Sequence, residues 1–235
     1  MTLQALTLDL DDTLWPVWPA IHRAEAALQA WLRDQAPATV AAHDAAAMRV
    51  LREAVVRERP EWVHDLSALR RECIRRALVA SGDDPALAGP AFEVFFAERQ
   101  RVDLFDDVLP ALERLAARWP IVALSNGNAD VNRVPGLGRW FHAAVSARDL
   151  GVGKPAPVIF AEACRRAGAD PSRTLHIGDD AALDVDGALD AGLQAAWVCR
   201  PSLKAPAVAA SPAQPRGKPQ HVVATLVELA DRLQT

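Results

Sequence analysis

Asp9, Asp11 and Asp12 place three carboxylates within four positions, directly where the apolar residues Leu6, Leu8 and Leu10 run out. Taking an ionised carboxylate out of water is costly unless something pairs with it. A strand end carrying this much like charge therefore either stays open to solvent or meets a cation. Asp9 and Asp11 are two residues apart, so in extended chain both side chains point to one side. Two carboxylates on one side repel each other, and a third from a neighbouring strand would add to the repulsion.

Three further polar clusters close or follow apolar runs. Ser125, Asn126, Gly127 and Asn128 follow "IVAL". Lys154 stands in "GVGKPAP", after the run at 143–147. Gly178, Asp179 and Asp180 follow "TLHI", with Asp184 soon after. In open parallel sheets ligands bind outside the carboxyl ends of the strands, so all four clusters are expected along one sheet edge. Hard oxygen donors of this kind suit Mg²⁺, which keeps several waters and takes one or two protein carboxylates beside a substrate phosphate. Lys154 adds a compact positive charge able to pair with a carboxylate or with phosphate oxygens. The Ser125 hydroxyl and the backbone N–H groups of Asn126 and Gly127 are donors for the same oxygens. Metal, ammonium and donors at one spot meet the needs of phosphoryl transfer, whose catalysis is mostly positioning and charge stabilisation.

The elements that must hold these residues are five strand-like runs: 5–10, 121–125, 143–147, 174–178 and 195–199. Near-continuous apolar strands separated by crossovers imply a parallel sheet covered on both faces. Helical patterns fall at 106–118, 156–167, 181–191 and 225–233. The last opens with a capping-box signature, Thr225 followed three residues later by Glu228. Residues 16–103 contain little that resembles a strand. Ile21, Leu28, Trp31 and Leu32 recur at helical spacing. So do Val40, Ala47, Val50, Leu51 and Ala54, then Leu66, Leu69 and Cys73, then Phe92, Phe95 and Phe96. About four amphipathic helices are expected there. The reading is an α/β core of residues 1–15 and 104–235 with a helical insertion at 16–103. Residues 200–219, rich in Pro, Ala and Ser, read as an exposed loop or linker.

The chain has 235 residues, 51% hydrophobic and 24% charged, as expected of a globular protein large enough to need no staples. A formal net charge of −4 without a long basic tract argues against a nucleic-acid partner. No apolar segment of membrane-spanning length exists, and the N-terminus lacks the basic stretch of a signal peptide. Cys73, Cys164 and Cys199 are too far apart for a metal-ligand spacing and read as free thiols in a reducing compartment. The cytoplasm is the expected location and a small phosphorylated metabolite the expected partner. Oligomeric state leaves no mark on the sequence.

The order Asp9-x-Asp11-x-Thr13, Ser125, Lys154, and Gly178-Asp179 with Asp184 resembles the four motifs of the haloacid dehalogenase (HAD) superfamily, across the whole chain. The insertion after the first motif is similar to that family's type-one helical cap. "DLDDTLW", "RWPIVALSNGNA" and "HIGDD" look like phosphatases acting on FMN and on the phosphorylated ribitylaminouracil of riboflavin synthesis. The resemblance implies a Rossmann-like core and an aspartyl-phosphate mechanism. Asp9 would be the nucleophile and Asp11 the general acid and base. Mg²⁺ would be held by the Asp9 carboxylate, the Asp11 backbone carbonyl and Asp179, with Asp184 binding or orienting the metal's waters. Ser125, Asn126 and Lys154 would hold the phosphate, and Thr13 would steady the loop. The dehalogenase branch lacks the acid/base Asp and the metal, so Asp11 points to a phosphatase.

Several residues have a plainer reading. Asp180 sits where the family commonly has Ser; it either adds charge near the metal or caps a helix. His176 reads as a core histidine, not a ligand. Trp15 and Trp18 follow the nucleophile loop and either pack at a hinge or stack on a flat substrate. His22, Arg23, Arg70 and Arg71 belong to the insertion and are candidates for reaching a substrate, none of them singled out by the sequence. Sugar-phosphate or nucleotide phosphatase activity is the alternative within the family. A regulatory module that stores an acceptor phospho-Asp is the alternative of another class, although such modules lack a large insertion after strand one.

Overall fold

The computed structural model describes residues 2–200 and 214–234. Two compact units emerge: Met1–Val17 with Asp103–Thr235, and Trp18–Val102.

The first unit is built on a six-stranded sheet, β1 (Ala5–Leu8), β2 (Ile121–Ser125), β3 (Ala143–Ser146), β4 (Thr174–Gly178), β5 (Gln194–Val198) and β6 (His221–Val223). The spatial order is β3-β2-β1-β4-β5-β6 and every pairing is parallel. The chain therefore runs outward from β1 to β3, then returns to the other side of β1 at β4. This reversal of strand order creates a crevice at the carboxyl ends of β1 and its neighbours. Register fixes which side chains share a face. Leu6 pairs with Ile121 and Leu175, and Leu8 with Ala123 and Ile177. Thr7 pairs with Val122 and His176 on the opposite face, where Val122, Leu124, Ile159, Phe160 and Trp197 form a buried cluster.

In chain order the helices are α1 (Val17–Gln35), α2 (Pro37–Ala42), α3 (Ala45–Glu58), α4 (Leu66–Ser81), α5 (Ala88–Arg99), α6 (Val108–Ala116), α7 (Ala147–Leu150), α8 (Pro157–Ala167), α9 (Gly187–Asp190) and α10 (Leu226–Arg232). Helix α8 buries Ile159, Phe160 and Ala163 against the sheet. Helix α6 buries Val108, Ala111, Leu112 and Leu115 and packs on α10. Each fully buried leucine there is worth about 1.5–3 kcal/mol. The capping box at Thr225 forms, with Glu228 N–H donating to Thr225 Oγ1 at 3.2 Å. The returning bond goes to Glu228 Oε2 from the N–H of Ala224, one residue earlier than the usual partner.

The helical unit contains five α-helices rather than about four, because Val40 and Ala47 belong to separate helices, α2 and α3. Asp44 and Asp65 cap α3 and α4 by accepting from the N–H groups of Ala47 and Ala68. Ala24, Leu28 and Leu32 of α1 meet Ile74, Leu78, Phe92 and Phe95 in one cluster. Val50, expected in the core, is 65% exposed. The buried face of α3 instead runs through Val55, which packs with Leu69 and Cys73.

The sixth strand is a second departure. His221–Val223 carries only three residues and a histidine, too weak a period-2 signal to read. Strand β1 stops at Leu8, two residues earlier than expected. Arg200, placed in an exposed loop by its proline-rich neighbourhood, is buried. Most of that loop, 201–213, lies outside the described residues, while Arg216 and Gly217 are fixed by backbone bonds to Asp186 at 3.1 and 3.0 Å. No helix among the described residues is long and apolar enough to cross a membrane. Cys73 and Cys164 are buried free thiols, and Cys199 is half-buried.

Candidate active site

Asp9 directly follows β1, and its N–H donates to the Ile177 carbonyl of β4 at 2.9 Å. That bond ties the loop after β1 to the strand that delivers Asp179. Carboxylate oxygens of Asp9, Asp179 and Asp184 all lie within 4.8 Å of one another. Lys154 Nζ stands between two of them, 2.5 Å from Asp9 Oδ1 and 2.6 Å from Asp184 Oδ1. Lys154, Asp9 and Asp184 are all buried.

Close packing explains how the fourth cluster is aimed. Gly178 lies on the same face of β4 as His176, and its missing side chain leaves the space that Asp184 occupies. Ala181–Asp186 is wound as a π-helix before α9, and this wide turn swings Asp184 back over the strand end. Both oxygens of Asp184 are engaged. Oδ1 meets Lys154 and His176 Nε2, the latter at 3.1 Å, and Oδ2 accepts the Asp180 N–H at 2.9 Å. Asp180 turns away and caps the π-helix by accepting from Ala182 and Leu183 N–H, both at 2.8 Å. Its charge thus serves the helix start.

The electrostatics follow from two buried carboxylates and one half-buried one facing one ammonium. Burial pushes the Asp9 carboxyl up to about 7, against the pull of Lys154 and with help from the Asp184 charge. Burial likewise pushes Asp179 up to about 8, reinforced by Asp9 and Asp184. Burial would raise Asp184 too, but Lys154 and His176 outweigh it and hold its carboxyl well below the usual range. Burial alone would lower Lys154; the carboxylates of Asp184 and Asp9 reverse that and keep it charged. The lysine therefore satisfies Asp184 and part of Asp9, and no ion pair to Asp179 is seen among the described residues. A pocket of hard oxygens with excess negative charge fits a divalent ion such as Mg²⁺ in donor type and in charge.

Thr13 links two of the acids. Its hydroxyl lies 3.0 Å from Asp179 Oδ1 and 3.3 Å from Asp9 Oδ2. One O–H proton serves one carboxylate at a time, so the second contact needs a proton on the acid or a cation beside it.

Asp11 is not brought into this cluster. The chain leaves extended geometry after Leu8: Leu14 N–H donates to the Leu10 carbonyl, and Asp12 adopts a left-handed φ of 58°. Strand β1 ends at Leu8 and the chain turns from Leu10 to Leu14, and Asp11 is not among the carboxylates whose oxygens gather within 4.8 Å of one another. Asp11 is instead anchored by the Trp15 indole N–H, 2.9 Å from its Oδ1. Trp15 is fully buried, so the option of stacking on a substrate is corrected: its faces are covered, and its polar tip holds Asp11.

A second correction concerns the cluster after β2. The Asn126 side chain is fully occupied by the Lys154 backbone, with Nδ2 donating to the Lys154 carbonyl at 2.8 Å and Oδ1 accepting its N–H at 2.7 Å. The Asn126 side chain thus sets the height of Lys154; the donor read from the sequence is its backbone N–H, which these two bonds leave untouched. Gly127 N–H is turned onto the Ser125 hydroxyl at 2.9 Å. Gly153 is required by the same clamp, since a Cβ there would stand 2.6 Å from Asn126 Oδ1.

Residues of the helical unit named as substrate candidates are engaged within that unit. Arg70 pairs with Glu25 at 2.6 Å and lies over Phe95, Arg71 lies over Phe92, and Arg23 donates to the Arg101 carbonyl. Trp18 is 66% exposed and meets His22 edge-on.

His176 was legible as a core residue and is one, but it also does more. Its Nδ1 meets Thr7 Oγ1 at 2.8 Å while Nε2 meets Asp184, and burial lowers its pKa. The signal was its place in β4, two residues before Gly178 on the same face.

The profile of a family described as hydrolase, haloacid dehalogenase-like hydrolase, matches residues 3–192. The 5-amino-6-(5-phospho-D-ribitylamino)uracil phosphatase YigB of Escherichia coli is 34% identical over 83% of each chain. A phosphoserine phosphatase of Thermus thermophilus is 34% identical over 56% of this chain and 55% of its own. Among solved structures, a crystal structure described as 2-haloacid dehalogenase from Pseudomonas syringae pv. Tomato superposes with a TM-score of 0.88 at 39% identity, covering 99% of both chains.

Proposed function

Because the chain belongs to the haloacid dehalogenase-like hydrolases and is a phosphatase among them, we propose that it is a Mg²⁺-dependent phosphomonoesterase that works through Asp9. The observation that carries this reading is the convergence of Asp9, Asp179 and Asp184 around Lys154, with more buried negative charge than the lysine balances. Asp9 and Asp179, with the Asp11 backbone carbonyl, would hold the ion. When bound, it supplies charge stabilisation to the phosphoryl oxygens.

The chain's own residues account for the proton and bond changes. An Asp9 oxygen attacks phosphorus while the ester P–O bond breaks, and Asp11 gives its proton to the leaving oxygen. Water then attacks the aspartyl-phosphate, loses a proton to Asp11, and the Asp9–phosphorus link breaks to release phosphate. Lys154 fixes Asp9 for the attack and offsets charge on the transferring group. Asp184 holds Lys154, and Ser125 lines the phosphate side. The Trp15 indole N–H holds one Asp11 oxygen and so orients the acid.

The substrate is a small phosphorylated metabolite, whose alcohol is the leaving group. The YigB relative favours a riboflavin-pathway substrate or FMN, with sugar phosphates and nucleotides as the alternatives. Residues 16–103, inserted straight after the loop that carries Asp9, are proposed to act as the cap that selects among them. Dehalogenation is favoured only by the name of the Pseudomonas syringae structure. A halide departs as a stable anion and needs no acid, so Asp11 would be idle.

The test is phosphate release from an aryl phosphate and from a panel of phosphorylated metabolites, with Mg²⁺ or EDTA, beside chloride release from 2-chloropropionate. Mg²⁺-dependent phosphate release that vanishes in Asp9→Asn is expected. Chloride release without phosphate release would overturn the proposal, as would phosphate release indifferent to Asp9→Asn.

A further inference from the structure

Arg200 follows β5 and turns inward, its side chain 4% exposed. Its Nε and Nη2 both donate to one acceptor, the Thr13 carbonyl, at 3.1 and 2.8 Å. Nη1 donates to Asp107 Oδ1 at 2.6 Å, and the guanidinium carbon lies 4.1 Å from the centre of the Phe105 ring. The other Asp107 oxygen accepts the Leu226 N–H at 2.6 Å, at the first turn of α10. Phe105 N–H donates to the Leu14 carbonyl at 3.0 Å. Two successive carbonyls of the loop after β1 are thus held from residues remote in sequence.

The hydroxyl of that same Thr13 touches Asp9 and Asp179. Arg200 touches none of the reacting carboxylates, yet it grips the backbone of the residue that bridges two of them. A buried guanidinium is a poor stability device, because its desolvation penalty competes with the pairing gained, and apolar replacements are often as stable. Its planar fork does something an apolar side chain cannot: two converging N–H groups fix one carbonyl in position and direction.

We propose that Arg200 is a positioning residue of the phosphatase site, setting the Asp9–Trp15 loop so that Thr13 bridges Asp9 and Asp179. This rests on the phosphatase reading. Arg200 contacts no substrate, so its loss acts on kcat and on the Mg²⁺ requirement and leaves KM nearly unchanged. Lysine would keep the charge but lose the fork and the stacking on Phe105.

The experiment compares wild type, Arg200→Lys and Arg200→Ala on an aryl phosphate well below their melting temperatures, measuring kcat, KM and the Mg²⁺ concentration for half-activity. Millimolar guanidinium is added as a rescue arm. A misplacement near 1 Å costs about 10²-fold in rate. The expected result is a kcat loss of about 10-fold in Arg200→Lys and about 10²-fold in Arg200→Ala. A higher Mg²⁺ requirement should accompany it, with partial recovery of Arg200→Ala by guanidinium. If Arg200→Ala does not fold, Arg200→Lys decides. An Arg200→Lys enzyme with wild-type kcat and Mg²⁺ requirement overturns the inference alone. So does a folded Arg200→Ala enzyme that is less stable but equally fast, or one that guanidinium leaves unrescued. Wild-type protein without Mg²⁺-dependent phosphate release overturns this inference and the phosphatase reading together.

Discussion

Gly178 and Asp184 occupy the same space in turn: a Cβ built on Gly178 would stand 2.3 Å from the Asp184 carboxyl carbon and 2.6 Å from its Cβ. Asp184 in turn holds Lys154. Gly178→Ala should therefore push Asp184 off the lysine, with a stability loss of about 1–3 kcal/mol as for other overpacked sites. Phosphatase activity should fall by more than the unfolded fraction explains. Thermal melts and kcat of the purified variant check this; an alanine enzyme with wild-type activity would mean the strand end yields without disturbing Asp184.

Asn126→Ala removes both hydrogen bonds to the Lys154 backbone while sparing every reacting group. Each buried partner left unsatisfied costs about 1–3 kcal/mol. The lysine should lose its fixed height, lowering kcat by about 10–100-fold, within the range expected for a misplaced catalytic group. Steady-state kinetics with a crystal structure of the variant would test it, the displaced Lys154 ammonium being the feature to look for.

Trp15→Phe keeps the buried ring but deletes the N–H that orients Asp11. Proton delivery matters most for poor leaving groups. Alkyl phosphates should therefore lose considerably more rate than nitrophenyl phosphate, whose leaving group departs without help. Equal losses on both would show that Trp15 acts on stability rather than on the acid.

The raised carboxyls predict a linkage between pH, metal and stability. Asp9 and Asp179 titrate near 3.8 when unperturbed, and in the folded protein near 7 and 8. A raised group stabilises fully below its unfolded value, and that contribution is lost as pH rises through the folded one. His176 works in the opposite direction, its neutral form being lost only as pH falls below 6.5. Above that value the carboxyls alone govern the trend. With EDTA, the melting temperature should decline by a few degrees between about pH 6.5 and 8.5; Mg²⁺ should offset the decline, because metal binding displaces the protons. A Mg²⁺-induced shift of the same size at both ends of that range would contradict the linkage.

The strands were readable because continuous apolar runs stop abruptly at charged or glycine-rich clusters, and those same stops marked Asp9, Ser125 and Asp179. Lys154 had only its neighbours in "GVGKPAP" to mark it, and it lies at the centre. What sequence could not convey was how the chain turns after each strand. Asp11 stands in a turn that runs from Leu10 to Leu14 through one left-handed residue, Asp12, and no periodic pattern announces that turn. Asp184 reached Lys154 through a π-helical turn that leaves no periodic trace. The side-chain role of Asn126 went unread, and Arg200 was misread, for a related reason: their partners are backbone groups 28 and 187 residues away, and such contacts have no local signature. Val50 and Val55 show the residual ambiguity of helix faces, where one apolar residue is exchanged for another on the same turn-and-a-half of α3.

The strand order has a consequence for biosynthesis. Leu6 is registered with Ile121 on one side and Leu175 on the other. At translation rates of about 5–20 residues per second, the N-terminal segment waits about 10 s or more on the ribosome before its second neighbour exists. During that interval the helical insertion is complete while β1 has a partner, β2, on one side only. Nascent chains are thus chemically silent until nearly four-fifths made, and a chaperone that shields the first ten residues would act at the step most exposed to aggregation.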